Sequence, residues 1–408
     1  MEVLKDKKIL VGICGGIALY KTCDFIRRLK SEGAELEVVL TTCAQKFASP
    51  LLFSALAQAQ AYTNEDFFKP SGKALHIELA NKVDLVVIIP ATADFMAKAA
   101  AGIADELLLS VLLATKAPVI FFPAMNTKMF EHPITQRNVE VLKQSGYMVY
   151  EPEEGALACG ESGKGRLPDV SIAVEALKAI FLPKDFKGRR ILITGGPTKE
   201  YIDDVRFITN DSSGKMAMAL LKEAYYRGAE VDFVKGPMKT HFLIPDLSFL
   251  NIPFPRVWSV ETTKEMYEAA SRVFPDVEVA IFAAAPVDFK PDTCFKGKLK
   301  KEEVKEISLE LTPDIALELG CKKVNQITVG FALEPKERLK ELALVKKQNK
   351  NFDIIIANSL ETMGSEKGDF LVITEELTYQ LKDTSKSQLA RFLFDLLGSY
   401  VQRGSSSK

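Results

Sequence analysis

Asp185–Thr198, DFKGRRILITGGPT, decides how this chain is built. It repeats the plan of Asp6–Gly16, DKKILVGICGG: a basic entry, a short apolar run of β-formers, then paired glycines opening toward a helix. A strand that feeds a glycine turn and a helix is how a parallel α/β domain begins. The second opening comes about 180 residues after the first, and domains run to roughly 100–200 residues, so a new domain starts here. Pro183 and the charged run Lys184–Lys187 supply an exposed linker. The expected fold is α/β, with two tandem doubly wound parallel-sheet domains over residues 1–182 and 188–400.

Composition narrows the function classes. The 408 residues are 47% hydrophobic and 26% charged with a net charge of −1, enough apolar material for two cores. That charge balance argues against a protein held mainly by nucleic-acid phosphates. MEVLKDKKIL enters a strand without the apolar region of a signal peptide. No apolar run is long enough to span a bilayer, so neither nucleic acid nor membrane is expected as a partner. The six cysteines, Cys14, Cys23, Cys43, Cys159, Cys294 and Cys321, are scattered without a CxxC pair. This spacing favours neither disulfides nor a zinc site and suits the cytoplasm. Arg403–Lys408 reads as a disordered tail.

In the first domain the spacing predicts a helix over Ile17–Leu29 and strands at Leu36–Leu40, Leu85–Pro90, Val119–Pro123 and Met148–Tyr150. Helices are expected at Asp94–Ala101, Asp105–Ala114 and Met129–Gln144. The strands are apolar throughout, as strands covered on both faces should be. Ligands of such sheets sit at the carboxyl ends of the strands, here GICGG (Gly12–Gly16), TTC (Thr41–Cys43), PATAD (Pro90–Asp94) and PAMN (Pro123–Asn126). Glycine amides, small hydroxyls and a helix N-terminus suit a phosphate. GICGGIA is not GxGxxG, and no acidic residue follows strand two to hold a nicotinamide-cofactor ribose. A mononucleotide such as FMN is therefore preferred to NAD, although a glycine turn is often only a turn.

Three residues stand out. His76 in LHIEL is one of only three histidines, though an isolated histidine is more often packed or simply exposed. Asn126 serves equally well as the cap of the next helix. Cys159 lies in the glycine-rich Gly155–Arg166, GALACGESGKGR, a poor place for a buried packing cysteine and a better one for a functional thiol on a flap.

In the second domain a loop of roughly 20 residues follows Ile191–Thr194, a length usually reserved for function. It carries Thr198, Glu200, Asp203, Arg206, Asn210, Ser212, Ser213, Gly214 and Lys215 before helix Met216–Tyr226. Strands are expected at Val231–Val234, Val257–Val260, Val279–Ala284, Ile327–Phe331 and Phe352–Ala357. Helices are expected at Thr263–Val273, Lys336–Lys350 and Ser385–Leu397, with a hairpin over Phe370–Leu381 and an edge strand over Val304–Leu311. A basic stretch holds Lys296, Lys298, Lys300 and Lys301. By default it is a solvated face, but its place after a strand's carboxyl end would let it reach a triphosphate.

In order and spacing, from GICGGIALYK to IIIAN, these motifs resemble the bifunctional phosphopantothenoylcysteine decarboxylase / phosphopantothenate–cysteine ligase family of coenzyme A synthesis. The resemblance implies a flavodoxin-like FMN domain followed by a Rossmann-like ligase domain. It implies FMN against Gly15, Gly16, Ile17, Thr41, Pro90, Ala91, Thr92 and Ser110. It also implies His76 as active-site base, Asn126 as ligand of the substrate carboxylate, and Cys159 as the proton donor to the enethiolate. For the ligase it implies activation of 4′-phosphopantothenate by CTP as an acyl-cytidylate, with Mg²⁺, then attack by the cysteine amine. Asn210 would hold the acyl-cytidylate and Lys298 would be the KxKK lysine. Arg206, Ala285, Asp288, Phe331, Ala332, Lys346 and Lys350 would form the substrate and nucleotide site. The family further implies a homo-oligomer, a dodecamer. The chain departs from the family pattern at Asp105 (often asparagine), Asp204 (usually proline), Ala217 (glycine) and Phe289 (commonly tyrosine).

Two other readings compete. A two-domain NAD(P) dehydrogenase lacks its ribose-binding residue after strand two. A flavin-binding regulatory protein with a residual ligase domain would not require His76, Asn126 and Cys159 together.

Overall fold

The computed structural model describes residues 3–69, 74–156, 160–300, 306–362 and 364–405. The chain forms two compact units, one comprising the chain up to Leu182 together with Ile244–Asn251, the other comprising the rest.

Unit 1 is built on β1 (Lys8–Ile13), β2 (Glu35–Leu40), β3 (Ala61–Tyr62), β4 (Leu85–Ala91), β5 (Val119–Pro123) and β6 (Met148–Val149). They pair in the order β3-β2-β1-β4-β5-β6, every pair parallel. Every residue of β4 is buried, which is why these strands read as unbroken apolar runs: helices cover both faces. One face packs Phe25, Ile26 and Leu29 of helix Tyr20–Ser31 and Ala173 and Leu177 of helix Val170–Phe181. The other packs Phe95 and Met96 of helix Ala93–Ala100 and Leu108–Leu112 of helix Leu107–Ala114. The order of connections reverses between β1 and β4, which opens a crevice at their carboxyl ends. A separate hairpin, β7 (Glu153–Ala156) and β8 (Ser162–Arg166), follows the sheet.

The helix expected over Met129–Gln144 is two, Thr127–Glu131 and Pro133–Gln144. Pro133 has no N–H to give, and the residue before a proline is driven out of the helical region, as His132 is at φ −59°, ψ 131°. LHIEL opens helix Leu75–Lys82.

Unit 2 contains β9 (Arg190–Pro197), β10 (Lys199–Tyr201), β11 (Phe207–Thr209), β12 (Glu230–Lys235), β13 (Arg256–Ser259), β14 (Val279–Ala285), β15 (Phe289–Pro291), β16 (Leu309–Leu311), β17 (Ile327–Leu333), β18 (Ile354–Asn358), β19 (Lys367–Ile373) and β20 (Thr378–Ser385). Its main sheet runs β13-β12-β9-β14-β17-β18-β19-β20. The first six strands are parallel, and β19 and β20 extend the sheet antiparallel. The long loop after β9 is not structureless, because β10 and β11 form a ribbon within it. The expected edge strand Val304–Leu311 is a strand only at Leu309–Leu311, paired with Phe289–Pro291 in a second small ribbon. Val304, Lys301 and Lys305 lie outside the described residues.

Candidate functional site

A cavity of about 800 Å³ lies at the carboxyl ends of the unit 1 strands, within the roughly 300–1,000 Å³ usual for ligand clefts. Its floor is the turn after β1. A Cβ on Gly15 would stand 2.5 Å from Cys43 Sγ and 2.6 Å from the Cys43 carbonyl carbon, so only glycine lets the two turns cross. The helical turn Ile17–Leu19 that follows Gly16 has no side-chain cap, leaving its first amides to an anion. Thr41 Oγ1 accepts the Ala44 N–H at 3.2 Å and Thr92 Oγ1 accepts the Phe95 N–H at 3.3 Å. Each hydroxyl then presents its hydrogen as a donor. A phosphate fits this set, and Ile17, Phe95, Met125 and Met129 give the same cavity apolar walls for a ring system.

Of the residues expected against the flavin, Gly15, Gly16, Ile17, Thr41 and Thr92 line the cavity. Pro90, Ala91 and Ser110 stand behind it. Pro90 and Ala91 are buried in β4, and the Ala91 carbonyl accepts the Ala124 N–H at 3.0 Å, joining PATAD to PAMN. Ser110 spends its hydroxyl on the Ala104 carbonyl at 3.3 Å. Residues that motif reading did not single out also line the cavity: Cys43, Lys21, Lys98, Glu106 and Arg166. Cys43 and Arg166 end stretches already quoted, so their nearness was readable; Lys21 and Lys98 lie on helices whose rotation only packing sets. Asp105 pairs with Lys98 at 3.1 Å and holds its ammonium pKa up, so it acts on a charge that lines the cavity. Burial pushes the Cys14 thiol well above its usual range, which keeps it protonated.

Asn126 lines the cavity and also caps helix Thr127–Glu131. Its Oδ1 accepts the Lys128 N–H at 2.9 Å, and its Nδ2 donates to Glu161 Oε2 at 2.8 Å. The capping reading and the ligand reading of Asn126 are thus compatible, since they use opposite ends of one amide. The β7–β8 hairpin sits on this turn. Met125 N–H donates to the Gly165 carbonyl at 3.0 Å. A Cβ at Gly165, where φ is +148°, would lie 2.3 Å from the Met125 carbonyl oxygen, and one at Gly163 would lie 2.6 Å from Thr127 Oγ1. Cys159 lies outside the described residues, between Ala156 and Ser162, the last pair of that hairpin. His76 is not among the residues lining the cavity. Its ring stands edge-on to Phe67, with centroids 5.4 Å apart. Its Nδ1 is buried with no hydrogen-bond partner among the described residues.

In unit 2 the connections reverse between β9 and β14, and Asn210 meets Ala285 at the end of β14, with Asp288 three residues further on. Asn210 Nδ2 donates to the carbonyls of Ala285 and Pro286 at 3.2 and 2.9 Å, tying the clamp loop to the end of β14. Asp288 follows, its carbonyl accepting the Thr312 N–H at 3.0 Å. Lys346 pairs with Glu334 at 3.3 Å and Lys350 with Asp314 at 2.8 Å. Phe331 is half-buried near the end of β17. Ala217 packs against Gly195, which has room for no side chain: a Cβ there would be 2.4 Å from that of Ala217.

The loop bearing Lys298 is held by the clamp. Buried Asp203 accepts the amides of Val205, Arg206 and Leu299 at 2.7–3.1 Å and the Arg206 guanidinium at 2.5 Å. Arg206, foremost, draws the Asp203 carboxyl far below the ordinary range. Arg206 also donates to the Leu299 carbonyl at 2.5 Å, so its guanidinium joins two loops. Asp204 accepts the Gly297 N–H at 2.8 Å. Lys298 is exposed between these two anchored residues. A second cleft, about 940 Å³ and lined by Leu339, Leu344 and Phe370 among others, contains none of the expected ligase residues.

No helix among the described residues is long and apolar enough to cross a membrane. The described residues also contain no cluster of three or more His, Cys, Asp or Glu side chains that could hold a metal ion.

Known proteins account for this arrangement across both units. Residues 2–182 match the Flavoprotein family, and residues 186–400 match the DNA/pantothenate metabolism flavoprotein C-terminal domain. The coenzyme A biosynthesis bifunctional protein CoaBC of Bacillus subtilis is 39% identical over 393 residues, covering 95% of this chain and 93% of that protein. The protein of the same name from Borreliella burgdorferi is 35% identical, covering 96% and 99%, and that from Escherichia coli 38%, covering 88% and 87%. With both halves matched in one order and at nearly full length, this chain belongs to the CoaBC family of bifunctional coenzyme A biosynthesis proteins.

Proposed function

We propose that the protein joins 4′-phosphopantothenate to cysteine and then decarboxylates the product, phosphopantothenoylcysteine, to 4′-phosphopantetheine. The observation that carries this reading is the 39% identity to a bifunctional relative across 95% of the chain.

In unit 2 the carboxylate of 4′-phosphopantothenate attacks the α-phosphorus of CTP and pyrophosphate leaves. The cysteine amine then attacks the acyl-cytidylate and CMP leaves. Asn210 holds the acyl-cytidylate, while Lys298, with Arg206 and Asp203 bracing its loop, offsets charge on the phosphates. Ala285, Asp288, Phe331, Lys346 and Lys350 shape the nucleotide site. Mg²⁺ would enter with the triphosphate and offset charge on the leaving pyrophosphate.

In unit 1 Gly15, Gly16, Ile17, Thr41 and Thr92 hold FMN, with Pro90, Ala91 and Ser110 fixing the turns behind them. When bound, FMN supplies the electron sink that loss of CO₂ from a cysteine carboxylate needs. Asn126 orients that carboxylate, His76 acts as base, and Cys159 returns a proton to the product.

The working form is a homo-oligomer. His76 stands off the cavity within one chain, while Ile17 and Tyr20 on the cavity wall are 64% and 66% exposed. A second copy would both cover the wall and bring a histidine to it. In unit 2, Val205, Phe207, Phe289, Leu309 and Leu311 are exposed apolar side chains on neighbouring small ribbons, a further surface of the kind that associates. The scattered cysteines, those described being free thiols, suit a reducing cytoplasm.

Purified protein incubated with 4′-phosphopantothenate, cysteine, Mg²⁺ and CTP tests both halves by mass spectrometry. 4′-Phosphopantetheine is expected. Accumulation of phosphopantothenoylcysteine alone would refute the decarboxylase half, and no product with CTP or ATP would refute the ligase half.

A further inference from the structure

The Asn126 amide has its direction fixed by its own helix. Because Oδ1 accepts the Lys128 N–H at 2.9 Å, the NH₂ group faces away from the helix as a donor. It meets Glu161 Oε2 at 2.8 Å, while Lys128 Nζ meets Oε1 of the same carboxylate at 3.2 Å. One carboxylate is thus held by two donors, one to each oxygen. Asn126, then Lys128, draws the Glu161 carboxyl below its ordinary range, so the anion is the species held. Glu161 precedes β8, the strand seated on Met125 and Thr127 through Gly165 and Gly163, so the carboxylate is delivered by the hairpin that carries the flap motif.

We infer that Asn126 and Lys128 form a two-donor carboxylate subsite, and that Glu161 is its tethered occupant until the carboxylate of the substrate takes its place. The inference rests on the reading that Asn126 receives that carboxylate, and it adds Lys128 as a specificity residue and Glu161 as an internal competitor. A ligand that must displace a resident group binds with an apparent affinity reduced by the fraction of sites standing open. Lys128 and Glu161 have 82% and 47% of their side-chain surfaces exposed, so solvent screening keeps the effect moderate.

The test is steady-state decarboxylation of phosphopantothenoylcysteine by the flavin-loaded enzyme and two variants. Inhibition by 4′-phosphopantetheine, which lacks the carboxylate, is measured beside it, as is hydrogen exchange of the 153–166 amides without ligand. Glu161→Gln is expected to lower KM by about three- to tenfold at unchanged kcat, and Lys128→Met to raise it by a smaller factor, about twofold, because Lys128 holds the competing Glu161 as well as the substrate carboxylate. The inhibition constant of 4′-phosphopantetheine should stay fixed in both, and hairpin amides should exchange faster in Glu161→Gln. A structural role alone would move both variants in one direction and move both ligands together. An unchanged or raised KM in Glu161→Gln, KM shifts of one sign, or unchanged exchange overturns the inference. Wild-type enzyme that does not turn over overturns the decarboxylase reading and, with it, the ligand assigned to the subsite. Normal turnover with KM moving the wrong way overturns the subsite alone.

Discussion

Replacing Asn126 separates its two jobs. Asp and Asn are nearly equivalent helix caps, whereas Ala forfeits about 0.5–2 kcal/mol. Asn126→Asp keeps an oxygen for the Lys128 N–H, 2.9 Å away in the native chain, so the fold should lose little. At the other end of the side chain, however, the NH₂ that donates at 2.8 Å becomes an anionic oxygen facing a carboxylate. The donor is lost and a like charge gained, so kcat/KM for decarboxylation should fall by about 10²–10³ or more. Asn126→Ala should lose activity comparably and also lower Tm by about 2–4 °C, taking about 1 kcal/mol in a unit of this size. Differential scanning fluorimetry and a coupled CO₂ assay on both variants give the comparison. An Asn126→Asp enzyme that keeps most of its activity, or one that melts as early as Asn126→Ala, would refute the division of labour.

Other consequences are equally open to measurement. Gly15→Ala should abolish flavin retention, read from visible absorbance after gel filtration. Adding Cys43→Ala should not restore it, because the Cys43 carbonyl carbon still stands 2.6 Å from the new Cβ. Asp204→Ala should raise the KM for CTP several-fold while decarboxylation of supplied phosphopantothenoylcysteine is unchanged, since its contact is with the Gly297 amide of the lysine loop; an unchanged KM would remove Asp204 from any positioning role. Asp232 is fully buried and accepts from Arg190, Arg256 and Trp258 at 2.8–3.1 Å. Asp232→Asn should destabilise unit 2 by about 2–4 kcal/mol in urea unfolding. Burial would raise the Asp232 pKa, but the arginines and the indole outweigh it and the carboxyl sits below its usual value. Its stabilisation is therefore complete above the ordinary carboxylate range and is lost as pH falls through the folded-state value, so the wild-type and Asp232→Asn curves should converge in acid.

Much was legible because it is local. Two strand–glycine–helix openings fix the number of sheets, and unbroken apolar runs such as LVVIIP in β4 require cover on both faces, hence parallel strands. The carboxyl-edge motifs follow, because in such sheets ligands gather there whatever the loops contain. Tertiary structure decided which of those residues face the cavity. Pro90 and Ala91 share a motif with Thr92 yet turn into the sheet, whereas Lys21, Lys98 and Arg166 reach the cavity from separate elements. No sequence period ties Asn126 to Glu161, 35 positions on, or Asp204 to Gly297, 93 positions on. Chain topology brings these partners together, and their hydrogen bonds form only after the crossovers have packed. Local residue patterns were enough to specify two doubly wound sheets and the edge where chemistry sits. Only the folded chain decided which donors point outward there, because side-chain direction is set by packing between elements distant in sequence.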